Sequence, residues 1–111
     1  MARINSNAKG KAGELELVNK FKSYGFKDAM RSVQYCGANG DADVIGMKDL
    51  HIECKRVEKL NIDKAIEQCF SDKREEDLGV VAHRKNNKDW LVTMKFDEWM
   101  ELYKRYLITI K

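Results

Sequence analysis

Proline is absent from the 111 residues, and no Pro/Ser-rich stretch or internal repeat divides them, so the sequence offers no place for a domain boundary. Cysteine is scarce. Cys36, Cys54 and Cys69 are an odd number without a CxxC spacing, which excludes a disulfide framework and suits a reducing compartment. No apolar run approaches the ~20 residues that span a bilayer. The opening MARINSNAKGKAG lacks the apolar centre of a secretion signal. A cytoplasmic location is therefore expected, and the small, lysine-rich, proline-free chain suits a bacterial or phage-infected host cell. No GxxxxGK[ST] loop is present, so no nucleotide cofactor is expected.

What is present is charge. Asp, Glu, Lys and Arg make up 35% and hydrophobic residues 43%, a balance that supports a modest core and excludes a disordered or collagen-like chain. The net charge of +3 is matched by Arg3, Lys9 and Lys11, because residues 1–11 contain no acid. The expected division is a basic, flexible arm over residues 1–11 and one domain over residues 12–111. Such an arm serves either as a solubilising tail or as a strap for a polyanion.

Apolar spacing predicts a first helix over Ala12 to Tyr24, stopped by Gly25. Three strands should follow, over Ala29 to Cys36, Ala42 to Met47 and Leu50 to Lys55, the last two as a hairpin. A second helix is predicted over Asn61 to Arg74, with Asn61 as N-cap. Strands at Leu78 to His83 and Trp90 to Met94 and a last helix over Phe96 to Tyr106 complete the order α-β-β-β-α-β-β-α. Strands interrupted by a helical crossover imply an α/β fold with a central mixed sheet of about five strands flanked by helices.

The chemistry concentrates in DADVIGMKDLHIECK, residues 41–55. Side chains two apart on a strand share a face, so Glu53 and Lys55 project together and Cys54 points the other way. With Asp43 on the neighbouring strand, two carboxylates and an ammonium meet at one sheet end. Hard divalent cations such as Mg²⁺ take carboxylate oxygens, keep several waters and bridge to phosphate. A water bound there loses its proton more readily, and Lys55 can orient it. A Glu-x-Lys pair can also be a solvated ion pair worth under ~1 kcal/mol. Here, however, the flanking Val44, Ile45, Leu50 and Ile52 make the strands apolar, and charges in such strands are costly unless they bind something.

The first helix offers Glu14 and Glu16, which cannot share a face. Glu14 suits the helix dipole equally well without any function, and Glu16, on the face away from Leu15 and Val18, reads foremost as a surface charge. Asp41 is a possible substitute for Asp43. His51-x-Glu53 lacks the P-C-x-x-C partner of zinc deaminases, and no His or Cys pair has zinc-ligand spacing. Cys54 and Cys69 read as small core residues, and Trp90, Trp99 and Tyr103 as core or interface aromatics.

The pattern resembles the PD-(D/E)xK nuclease superfamily, and within it the archaeal-type Holliday junction resolvases and their phage relatives. The matching features are Gly10, Glu14, Glu16, Leu17 and Val18 for G-x-x-x-E-x-E-L-V; Gly25, Phe26 and Arg31 for G-F-x-x-x-R; Asp43 opening an apolar strand; and Ile52, Glu53 and Lys55 for I-E-x-K. Residues 9–60 match well, whereas residues 61–94 match only in element order. Two positions depart: Ala42 replaces the proline before the metal-binding Asp, and Leu15 replaces an arginine that follows the helix glutamate. The second departure touches substrate preference more than catalysis.

The resemblance implies a restriction-endonuclease-like fold and a Mg²⁺-dependent endonuclease, with Mn²⁺ able to substitute. Glu14, Asp43 and Glu53 would hold the metal, Lys55 would assist the attacking water, and Gln68 is a candidate beside the site, equally an ordinary helix-surface residue. Phosphate contacts are expected from Arg3, Lys9, Lys11, Arg31, Arg56, Lys59, Lys85 and Lys88. The implied substrate is branched double-stranded DNA, foremost a four-way junction. Two symmetric cuts on that substrate call for a C2 homodimer, with Trp99, Met100 and Leu107 to Ile110 able to seal a partner or pack inside. Other expectations from the same residues are a nuclease acting on flaps, forks or linear duplex, or a DNA-binding module without catalysis.

Overall fold

In a computed structural model of the chain, residues 6–32 and 42–110 are described, with side chains from residue 10 onward. Arg3, the Lys9 side chain, Cys36, Asp41 and the 33–41 part of the first expected strand and its loop lie outside the described residues. The elements follow the expected order: α1 (Ser6–Ser23), β1 (Met30–Arg31), β2 (Val44–Ile45), β3 (Leu50–Arg56), α2 (Ile62–Asp72), β4 (Leu78–Arg84), β5 (Leu91–Thr93) and α3 (Phe96–Thr109).

Helix α1 opens at Ser6, well before Ala12, so the boundary expected between arm and domain falls inside it. Ala8, Lys9 and Lys11 are good helix formers and extend the helix into the basic segment. The stop is where the sequence puts it. Gly25 takes φ +98°, a left-handed conformation suited to glycine, and its N–H donates to the Lys22 carbonyl at 2.9 Å. Asn61 caps α2 as expected, its Oδ1 accepting the Lys64 N–H at 3.1 Å.

The five strands lie in sequential order, β1-β2-β3-β4-β5. β3 and β4 are parallel, as a crossover through α2 requires, and the other neighbours are antiparallel. This is the mixed α/β sheet that the sequence pattern implied. α1 covers one face, packing Leu17 and Val18 over Val44, Ile52, Val80 and Ala82. α2 covers the other, with Ala65 and Cys69 against Val81. Gly13 lets α1 approach β3 closely, since a Cβ there would stand 2.6 Å from the Arg56 Cβ.

Helix α3 stands apart. It has no buried residue, and it runs to Thr109 rather than ending at Tyr106. Glu98 ties it down, its Oε1 accepting the Gly79 N–H at 2.6 Å and its Oε2 lying 3.3 Å from Lys73 Nζ. Arg105 lies 3.9 Å from Asp49. Among the described residues, no helix is long and apolar enough to cross a membrane.

Candidate active site

The site is built by strand register. Val44 stands opposite Ile52 in the antiparallel β2–β3 pair, which brings Asp43, the residue before β2, alongside β3 and within reach of Glu53. The Asp43 N–H donates to the Ile52 carbonyl at 2.9 Å, and its Oδ2 accepts the Cys54 N–H at 2.8 Å. Alternation along β3 places His51, Glu53 and Lys55 on the same face and Cys54 on the α1 side. Glu53 is 5% exposed and His51 3%, and the Glu53 Oε1 lies 2.8 Å from the His51 Nε2.

Two carboxylates this close and this buried resist ionising together. Burial pushes the Asp43 carboxyl up to about 7, against the Cys54 N–H, which holds it down. The Glu53 charge, a hydrogen bond shared with Glu53 and the Glu14 charge raise it further. Burial likewise pushes the Cys54 thiol up to about 12, with Asp43 adding to it, which leaves that cysteine an inert neutral group.

The donors are hard carboxylate oxygens, and their mutual repulsion is what a divalent cation relieves, so the residue types fit Mg²⁺. Yet among the described residues no three His, Cys, Asp or Glu side chains form a ready metal-ligand set. Present partners explain this. Glu14 Oε1 accepts from Arg31 Nε at 2.9 Å, and Glu53 is held by His51. Asp43, Glu53 and Glu14 would be the residues to hold the ion, with Glu14 exchanging Arg31 for it.

Other expected site residues distribute unevenly. Lys55 is half-buried beyond Glu53 on the same strand face. Gln68 is exposed on α2 while its neighbour Cys69 faces the sheet, and no hydrogen bond links it to the acids among the described residues. Arg31 and Arg56, expected on phosphates, are engaged within the chain: Arg31 with Glu14, and Arg56 with Glu16 at 3.5 Å and with Asn86 Oδ1 at 2.9 Å. Both sit beside carboxylates that neutralise them. Lys11, Lys59, Lys85 and Lys88 are exposed.

Two residues matter more than the sequence suggested. His51 is a buried partner of Glu53, and its two-residue spacing on a strand was the available signal. Glu16 receives hydrogen bonds from Arg84 and from Trp90 Nε1, the latter at 3.1 Å. Burial pushes its carboxyl up, but the Arg84 hydrogen bond and the Arg84 and Arg56 charges outweigh this and hold it below the usual range. Glu16 therefore locks α1 to β4 and the β5 approach.

No protein-family model matches the chain, and no curated protein matches it. A solved structure of Archaeoglobus fulgidus Hjc, a Holliday junction resolvase from an archaeal hyperthermophile, is similar over 76% of this chain and 75% of its own, with a TM-score of 0.57 and 20% sequence identity. The chain shares that protein's fold.

Proposed function

We propose that this chain is a divalent-metal-dependent, structure-selective DNA endonuclease, and specifically a Holliday junction resolvase that cuts four-way junctions by phosphodiester hydrolysis. The observation that carries this is the interacting Asp43–Glu53 pair, with Asp43 raised to about 7, and Lys55 two residues along β3 from Glu53. A buried pair of carboxylates that stabilises nothing by itself is a functional-site signature. The fold shared with Hjc and the E…D…ExK order support the same conclusion.

Asp43, Glu53 and Glu14 would hold the cation, which would supply a more acidic water and offset charge on the scissile phosphate. His51 fixes the Glu53 carboxylate by its hydrogen bond to Oε1. Lys55 orients the attacking water and offsets the charge that grows on the phosphate. Exposed Lys11, Lys59, Lys85 and Lys88 contact backbone phosphates, which favours recognition of DNA shape over sequence. Two symmetric cuts require two such sites, and hence a homodimer.

The test incubates the protein and Mg²⁺ with a labelled four-way junction or a linear duplex of matching sequence. Paired symmetric nicks in the junction, lost in Asp43→Ala, are expected. Equal cutting of both substrates would replace the resolvase by a general nuclease of this fold, and no Asp43-dependent cutting of either would remove the enzyme.

A further inference from the structure

Strand register lays a row of side chains across one face of the sheet. Lys55 on β3 stands beside His83 on β4, and His83 beside Leu91 on β5. Val81, two positions back on β4, packs on Ala65 and Cys69 of α2, so alternation turns this row to the α2 side as well. Near the start of α2 the row borders a cleft of about 670 Å³, within the ~300–1,000 Å³ of small-molecule sites. Leu60, Ile62 and Leu91 give the cleft apolar walls, and the His83 ring lines it. Lys59 and Lys85, both exposed, add positive charge.

This lining suits a flat heteroaromatic group with phosphates on either side. The His83 Nε2 lies 2.9 Å from the Thr93 Oγ1, which fixes the ring. Burial holds the His83 imidazole below its ordinary value, so the ring is uncharged at neutral pH. A neutral ring between aliphatic side chains accepts the face of a nucleobase, and lysines accept the neighbouring phosphates. Glu58, the acid at the cleft, already accepts the Asn86 N–H at 2.7 Å. Position adds a further reason. A single strand spacing of ~4.8 Å separates the His83 backbone from that of Lys55, so a base seated on His83 belongs to a nucleotide beside the phosphate that Lys55 attends.

We propose that this cleft takes one unstacked nucleobase of the DNA, laid on His83 between Leu60, Ile62 and Leu91, from a nucleotide next to the scissile phosphate. Drawing a base out of intact duplex forfeits its pairing and its stacking, whereas beside a branch point part of that cost is already met. The cleft therefore favours branched DNA over linear duplex without reading sequence. That preference rests on the resolvase reading. Base binding itself does not, and the two are tested separately.

The chain has two histidines, so NMR of the whole protein can follow the His83 ring signals beside those of the buried His51. In EDTA, tetrathymidylate should shift the His83 signals and leave those of His51 in place. An abasic strand with the same phosphates should move neither. His83→Ala, and Leu91→Ser at an exposed position, should each weaken tetrathymidylate binding at least ~10-fold, and His83→Phe, which keeps a ring, should recover most of it. No shift at millimolar tetrathymidylate overturns the proposal, as do equal shifts with the abasic strand, which would make the cleft a phosphate site. On larger DNA in EDTA, His83→Ala should cost a four-way junction at least ~10-fold in affinity and a linear duplex under ~3-fold. Equal losses on both overturn the selectivity. A parent chain that shifts with tetrathymidylate but does not prefer the junction removes the resolvase reading and keeps the base site.

Discussion

Replacing Asp43 by Asn should stabilise the metal-free protein, most strongly at alkaline pH, while removing its response to divalent cations. The Asp43 carboxyl has an ordinary value of 3.8 and stands at about 7 in the fold, through burial and then the neighbouring Glu53. The folded chain thus holds this proton more tightly than the unfolded chain does. This group's contribution to stability is greatest below about pH 4 and declines as pH rises to about 7, where the folded group also ionises. At about 1.4 kcal/mol per pH unit, the ionised carboxylate weakens the fold by at most about 4 kcal/mol at pH 8 and by under about 1 kcal/mol at pH 4. An Asn keeps an oxygen for the Cys54 N–H, bonded at 2.8 Å in the parent, and offers Glu53 an N–H instead of a charge. Urea denaturation in EDTA at pH 4, 6 and 8 should find the variant's advantage growing with pH. Millimolar Mg²⁺ should raise the melting temperature of the parent but not of the variant. A variant no more stable than the parent at pH 8 would refute the account of a strained carboxylate pair, whatever its activity.

Three further outcomes follow from the same contacts. Arg31→Ala frees Glu14 from its 2.9 Å partner and should tighten Mn²⁺ binding measured by calorimetry, so unchanged affinity would mean that Glu14 takes no part. His51→Ala strands a buried Glu53 and should cost about 2 kcal/mol in denaturation and loosen Mn²⁺ binding, whereas His51→Gln, which keeps a donor, should recover part of both. Asn61→Ala removes the α2 cap and should cost about 1 kcal/mol in thermal unfolding while leaving Mn²⁺ affinity untouched, a control for general loosening.

Local chemistry in the chain determined the elements and their order. Helical spacing, the Asn61 cap and the Gly25 stop are decided within a few residues of backbone, and alternation alone put Glu53 and Lys55 on one strand face. The same alternation contained His51, but a motif search for metal ligands passes over a histidine whose role is to hold a carboxylate. Tertiary structure decided which charges meet. Glu14 finds Arg31 across 17 positions and Glu16 finds Arg84 across 68, and no local pattern specifies such partners. Arg31 and Arg56, expected on phosphates, meet Glu14 and Glu16 in the fold for that reason. α3 is the plainest case: its apolar spacing fitted a core helix or a partner surface equally well, because periodicity records which side chains line up and not what stands in front of them. Only the packing of the described residues, which leaves that face exposed, bears on the choice between the two.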